Sequence, residues 1–190
     1  KCAPVDDRGV IGDPVSVSYA LNYSRGQVTF PPDQYLAVAR RALRNAAARA
    51  ASAGYAVESI GISSQAQTYI VLDARDRPLQ PAVVWTDTRA TREAREVERA
   101  IPGFLRHSGF QRPLNQLFLP KVMHAQRSGA WSRSRARSFL LLNEFIIHHL
   151  TGLAYGDEVN QGMGGFYHLT DRRWSERALK LADRVSVNLE

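Results

Sequence analysis

Two short stretches carry the side chains best suited to chemistry. Ile60-Gly61-Ile62-Ser63-Ser64-Gln65-Ala66-Gln67-Thr68 runs from β-branched residues into hydroxyls and amides. Such a run presents hydrogen-bonding groups at a strand end, where ligands bind in open α/β sheets. Val83-Val84-Trp85-Thr86-Asp87-Thr88-Arg89 sets an aromatic, a carboxylate and a guanidinium within five residues. An aromatic wall with oriented donors and acceptors is what a sugar site requires. Gln65, Gln67, Trp85, Asp87 and Arg89 are therefore the candidate ligand contacts. Each has a structural rival. Trp85 at a strand end can be a core residue. Gln65 and Gln67 can serve only to satisfy backbone groups. Asp87 can cap the helix that follows or pair with Arg89, and Arg89 is expected to pair with Glu93 at i,i+4.

Other reactive side chains suggest less. His148 and His149 are adjacent, so on a helix they project about 100° apart and cannot form an i,i+4 metal pair. Gly162-Met163-Gly164-Gly165 is glycine-rich, but no Lys-Ser/Thr follows as a phosphate loop demands. Cys2, the single cysteine, can form no internal disulfide and excludes a cysteine-rich zinc module. Lys121, following Pro120 at a helix start, is expected to face solvent.

The elements that must hold these residues follow from periodicity. Residues 2–5 and 10–21 read as strands about a turn at 6–9, with Val15, Val17 and Tyr19 alternating against Ser16 and Ser18. Residues 33–53 read as a helix with Leu36, Ala39, Leu43, Ala46 and Ala50 on one stripe, started by Pro31-Pro32-Asp33 and stopped by Gly54. Strands are expected at 57–62, 69–73 and 81–85, the last two joined by a turn at 75–78. A helix at 88–101 would share Ala90, Ala94, Val97 and Ile101 on one face, with Arg89/Glu93 and Arg92/Glu96 paired on the other. The remainder reads as helix 115–128, strand 138–142, helix 143–151, a glycine-rich hairpin near 156–170 and helix 175–184. Mixed strands and helices of this kind predict an α/β layered domain.

Composition bounds the function. The 190 residues are 44% hydrophobic, which excludes a disordered chain. No run of about 18 apolar residues is present, so no membrane-spanning helix is expected. No secretory leader is visible, which predicts an intracellular setting. The net charge is +7, and arginine supplies 22 of the 25 basic residues. These are scattered and interleaved with glutamate; only Arg133, Arg135 and Arg137 cluster. A nucleic-acid footprint is denser and carries aromatics, so nucleic acid ranks last among the partners, and a homodimer stays open.

The ordered set of motifs resembles the FGGY carbohydrate kinases, most closely their xylulokinase-like branch. The resemblance is carried by Ser63-Ser64-Gln65, Val71-Leu72-Asp73, Arg77-Pro78-Leu79, Pro81-Ala82, Trp85-Thr86-Asp87-Thr88-Arg89, Pro120-Lys121, Leu150-Thr151-Gly152, Asp157 with Asn160, and Asp171-Arg172-Arg173-Trp174-Ser175. It implies a ribonuclease H-like (actin-like ATPase) α/β lobe, a mixed sheet with flanking helices. It implies transfer of the γ-phosphoryl of ATP, with Mg²⁺, to a hydroxyl of a ketose or polyol in the cytoplasm. Residues 1–190 would be part of the N-terminal, sugar-binding lobe, with Asn160 joining the five candidate contacts. The ATP-binding lobe and the catalytic base would lie beyond Glu190, leaving no catalytic residue in this chain and no activity in it alone.

Two departures bear on the substrate. Ala66-Gln67-Thr68 stands where the branch has Met-His-Gly, and Gly26-Gln27-Val28-Thr29 lacks the family's Trp and Glu. They set a rival reading beside the kinase: a degenerate lobe that binds a sugar or a partner without chemistry.

Overall fold

The computed structural model describes residues 1–132 and 134–182. The chain opens with a small hairpin of β1 (Val5–Asp6) and β2 (Gly9–Val10). Beyond it, Val15, Val17 and Tyr19 do turn inward while Ser16 and Ser18 face out. Yet the expected strand over 10–21 is confined to β2 and an isolated bridge from Val15 to Cys2. Burial alternation is written into the side chains, whereas a ladder needs a partner at the right height.

Next come β3 (Asn22–Ser24) and β4 (Gln27–Phe30), a hairpin the periodicity had not revealed. Its two-residue turn is Arg25-Gly26, both with positive φ (43° and 83°). That is the turn whose twist suits a tight hairpin. The helix α1 (Pro32–Ser52) follows, with Pro32 in its first turn, where a missing N–H costs nothing. It buries Leu36, Ala42, Ala46 and Ala50.

The central strands are β5 (Tyr69–Leu72) and β6 (Ala82–Val83). Then come α2 (Thr91–Ala100), α3 (Phe104–Ser108), α4 (Phe118–Arg127), β7 (Ser138–Leu141) and α5 (Leu142–Thr151). The chain continues with α6 (Glu158–Met163), the hairpin of β8 (Tyr167–His168) and β9 (Arg173–Trp174), and α7 (Glu176–Leu181). The last residues of the expected helix 175–184, and Arg133 of the basic cluster, lie outside the described residues.

Five strands form one sheet in the order β3-β4-β6-β5-β7. The sequence reading expected a mixed sheet; every described pairing in it is antiparallel. Side-chain alternation divides the core between its two faces. Tyr69, Val71, Phe139 and Leu141 point to one side, packing with Val97, Leu119 and Val122 from α2 and α4. Ile70, Leu72 and Leu140 point to the other, packing with Leu36 of α1 and Phe145 and Ile146 of α5. With helices on both faces, β5 is buried at every position, which is why it reads as an unbroken apolar run.

Three further expectations are corrected. Residues 57–61 are exposed and 57–62 join no ladder among the described residues; β-branched composition alone does not make a strand. The hairpin expected over 156–170 is instead helix α6 followed by β8, because Asp157 caps the helix by accepting from Asn160 N at 2.7 Å. Helix α2 does bury Ala90, Ala94, Val97 and Ile101, but its pairings differ: Glu93 and Glu96 both bind Arg127 of α4, at 3.2 and 2.6 Å.

Gly26 also touches the segment after β6. A Cβ there would meet Thr88 Oγ1 at 3.0 Å, and Thr88 N donates to Gly26 O. Gly26→Ala therefore combines a disfavoured φ with a close contact and should lower stability by about 1–2 kcal/mol. Gly61→Ala, in open space, should stay within about 0.5 kcal/mol. Urea midpoints of the two variants check this.

Candidate functional site

The candidate residues gather at one end of the sheet, where the loop 63–68 enters β5 and the chain leaves β6. Thr68 and Trp85 tie the two segments: Trp85 N donates to Thr68 Oγ1 at 3.1 Å. The Trp85 ring is 44% exposed. The core reading of this tryptophan is thus wrong.

Gln67 is buried with φ at 63°, in the left-handed region. Both ends of its amide are engaged. Oε1 accepts from Phe118 N at 2.9 Å, and Nε2 donates to Asn160 O at 3.2 Å. Two of the candidates, Gln67 and Asn160, are therefore in direct contact, and Gln67 joins the loop to the starts of α4 and α6. Asn160 spends its own amide on Asp157 Oδ2, 2.7 Å away. Gln65 differs from Gln67: its Nε2 is buried with no hydrogen-bond partner. The Tyr19 hydroxyl lies close by; burial raises the pKa of that phenol and the Gln65 side chain opposes the rise. A cavity of about 370 Å³ beside this loop is lined by Tyr19, Tyr35, Ile62, Ser63 and Ser64.

Asp87 and Arg89 form the second cluster. Asp87 is buried, and its Oδ2 accepts from Val28 N at 3.0 Å and from the Arg89 guanidinium at 2.9 Å. Arg89 Nε lies 3.0 and 3.1 Å from the two oxygens. The expected Arg89–Glu93 pair is replaced by this two-residue clasp, since Glu93 turns to α4. Asp87 thereby fixes the β3–β4 hairpin against the strand end that carries Trp85.

One residue behind the site overturns its sequence reading. Lys121 is not at the surface but 2% exposed. Its Nζ donates to Gln67 O and, at 3.1 Å, to Val84 O. Its ammonium also lies 5.7 Å from the centre of the Tyr69 ring, a cation–π distance. The signal was present in the sequence: Leu117-Phe118-Leu119-Pro120-Lys121-Val122-Met123 sets one lysine inside an apolar run. A charge there must be held by partners. Burial drives the Lys121 pKa down to about 7, with Asp87 pulling it up and Arg89 pushing it down.

The family model for the N-terminal domain of the FGGY family of carbohydrate kinases matches residues 16–188. The chain belongs to the FGGY carbohydrate kinases. It is 26% identical over 121 residues to a xylulose kinase of Staphylococcus xylosus, covering 63% of this chain and 25% of that protein. It is 28% identical over 193 aligned positions to a glycerol kinase of Aromatoleum aromaticum, covering 94% of this chain and 38% of that one. Among solved structures it resembles a xylulose kinase from Brucella ovis, with 25% identity and a TM-score of 0.82 over 96% of this chain and 37% of that chain. The xylulose kinase from Rhodospirillum rubrum gives a TM-score of 0.83 at 21% identity, over 92% and 36%. The chain thus spans 25–38% of the length of these relatives. No helix of the described residues is long and apolar enough to cross a membrane.

The Lys121 clamp of this FGGY lobe has a pH signature. The folded pKa lies below the unfolded one, so between about pH 7 and 10.5 the unfolded chain holds more protons and stability rises with pH. Thermal unfolding of wild type and Lys121→Met across pH 6–10 should show the gap between their melting temperatures widening above pH 7. A gap of constant size would mean that Lys121 is not desolvated.

Proposed function

We propose that the protein carrying this chain transfers the γ-phosphoryl group of ATP to a hydroxyl of a ketose or polyol, and that this chain supplies the sugar-recognition surface. Family membership supports the reaction class, and similarity to xylulose, gluconate and glycerol kinases supports a small polyhydroxylated acceptor. The observation that carries the sugar role is the pairing of an exposed aromatic, Trp85, with an unpartnered buried donor, the Gln65 amide, on segments braced from behind.

In this reading the six candidates divide their labour. Trp85 gives an apolar sugar face a stacking wall. Gln65 Nε2 donates to a sugar oxygen and so gains the partner it lacks. The outer edge of Arg89 offers further donors to hydroxyls. Gln67 and Asp87 position these groups, because their own polar atoms are already bonded within the protein, and Asn160 has its amide nitrogen committed to Asp157. Ala66 and Gln67 replace the bulkier Met-His of the xylulokinase-like branch, which favours an acceptor shaped differently from xylulose.

The described residues do not themselves fit Mg²⁺ or the nucleotide. No group of three histidine, cysteine or acidic side chains among them could hold a metal ion. Gly162 and Gly164 are packed under Leu169 and Phe118, where a Cβ would lie 2.4 and 3.1 Å from those side chains, so they make no phosphate cradle. The part assigned to this chain is holding and orienting the acceptor hydroxyl, which confines the reactants and excludes water when the site closes.

Steady-state kinetics of the full-length protein on a panel of ketoses and polyols test this reading. Trp85→Ala should raise KM for the sugar about tenfold, equivalent to about 1.4 kcal/mol, and leave KM for ATP unchanged. Gln65→Leu should act in the same direction. Failure of every sugar to be phosphorylated, or equal effects on both KM values, would overturn the assignment.

A further inference from the structure

Beside α6 lies a second cleft of about 260 Å³. Its walls are Leu140, Tyr155, Tyr167 and Trp174, with Glu144 and Gln161 among the groups that line it. Gln161 is 6% exposed. Its Nε2 donates to Glu144 Oε1 at 2.7 Å, and its Oε1 is buried with no partner. Glu144 is 2% exposed and accepts from Leu141 N at 2.8 Å through its other oxygen. A buried acceptor is costly to leave without a donor.

We propose that this cleft is a ligand site for a small organic ammonium ion, distinct from the Trp85 surface. The chemistry of the wall selects the ligand class. The buried polar atoms offer acceptors only, because the Gln161 donor is already committed to Glu144. No lysine, arginine or histidine is among the lining residues described. Asp157 and Glu158 add negative potential at the mouth, although Arg172 neutralises part of Glu158 at 3.1 Å. Tyr167 and Trp174 meet edge to face at 5.5 Å, and aromatic faces attract a cation. The volume lies below the range for drug-sized ligands, so the guest is a compact amine with a few carbons.

Burial raises the Glu144 pKa to about 7, while the Leu141 N–H and the Gln161 amide pull it back. An ammonium donating to the Gln161 oxygen beside it would stabilise the ionised form. Gly156 closes the cleft over this group: a Cβ there would fall 2.2 Å from Glu144 Oε1. A larger residue at position 156 would force the Glu144 carboxyl to shift.

Isothermal titration calorimetry of the full-length protein with isobutylammonium and its neutral counterpart isobutanol tests the proposal. The ammonium should saturate one site with a millimolar Kd, and isobutanol should bind at least tenfold more weakly. Gln161→Leu should weaken the ammonium about tenfold, and Trp85→Ala should leave it unchanged. If Gln161→Leu fails to fold, Tyr155→Ala, on the exposed rim, should produce a smaller loss of the same sign. Absence of saturable heat overturns the proposal. So does equal binding of the alcohol, insensitivity to the cleft variants, or loss of binding in Trp85→Ala.

Discussion

A buried lysine holds together the end of the sheet where the candidate residues gather. Lys121 reaches from α4 under the sheet and donates to the carbonyls of Gln67 and Val84, one on each segment that carries candidate contacts. Two carbonyls in an apolar interior are expensive to leave unsatisfied. The loop before β5 and the strand end after β6 are therefore tied to α4 and, through it, to each other. A neutral amine keeps two N–H donors, enough for both carbonyls, so the clamp survives loss of its proton. Thr68 repeats the tie from the other direction through Trp85 N.

Around that clamp, polar side chains act as braces. Gln67 spends its whole amide on α4 and α6. Asp87 spends its carboxylate on Arg89 and the β3–β4 hairpin. Groups with satisfied polar atoms stiffen a site, and those left unsatisfied are where ligands gain most. In this lobe Gln65 is the unsatisfied one at the proposed sugar surface, and Gln161 the one at the second cleft. Glu144 and Lys121, both buried, have folded pKa values near 7 reached from opposite directions. The Glu144 contribution falls as pH rises from about 4.5 to 7, and that of Lys121 grows above 7, so the two together are least stabilising near neutrality.

The sequence made the helices and the central strands legible because their signals are local. The stripe of α2 and the unbroken apolar run of β5 each encode their own burial. The ladder partners are not local. Residues 57–62 carry strand-like side chains yet join no ladder, while β3 and β4 form one through a turn whose Arg25 gives no strong sign of positive φ. Antiparallel pairing across the sheet was equally hidden, since side-chain alternation does not encode direction. The candidate site was partly legible: the motifs located its two segments, with Trp85 exposed and the Gln65 amide nitrogen buried without a partner. What pattern could not reveal was which polar groups were already spent. Arg89 chose Asp87 over Glu93 because α4 brings Arg127 to Glu93, a contact 34 residues away in sequence. Lys121 was misjudged for a similar reason: a lysine at a helix start is normally solvated, and only the flanking apolar run marked this one.

The central claim is that the 63–68 loop and the 84–89 segment together form the sugar surface, held by Lys121. Hydrogen–deuterium exchange of the full-length protein with and without a saturating acceptor sugar tests it most directly. The account predicts that sugar alone, without nucleotide, slows exchange in both segments and at the start of α4, with little change in the exposed stretch 57–61. Protection confined to other parts of the protein, with these segments exchanging as before, would contradict it.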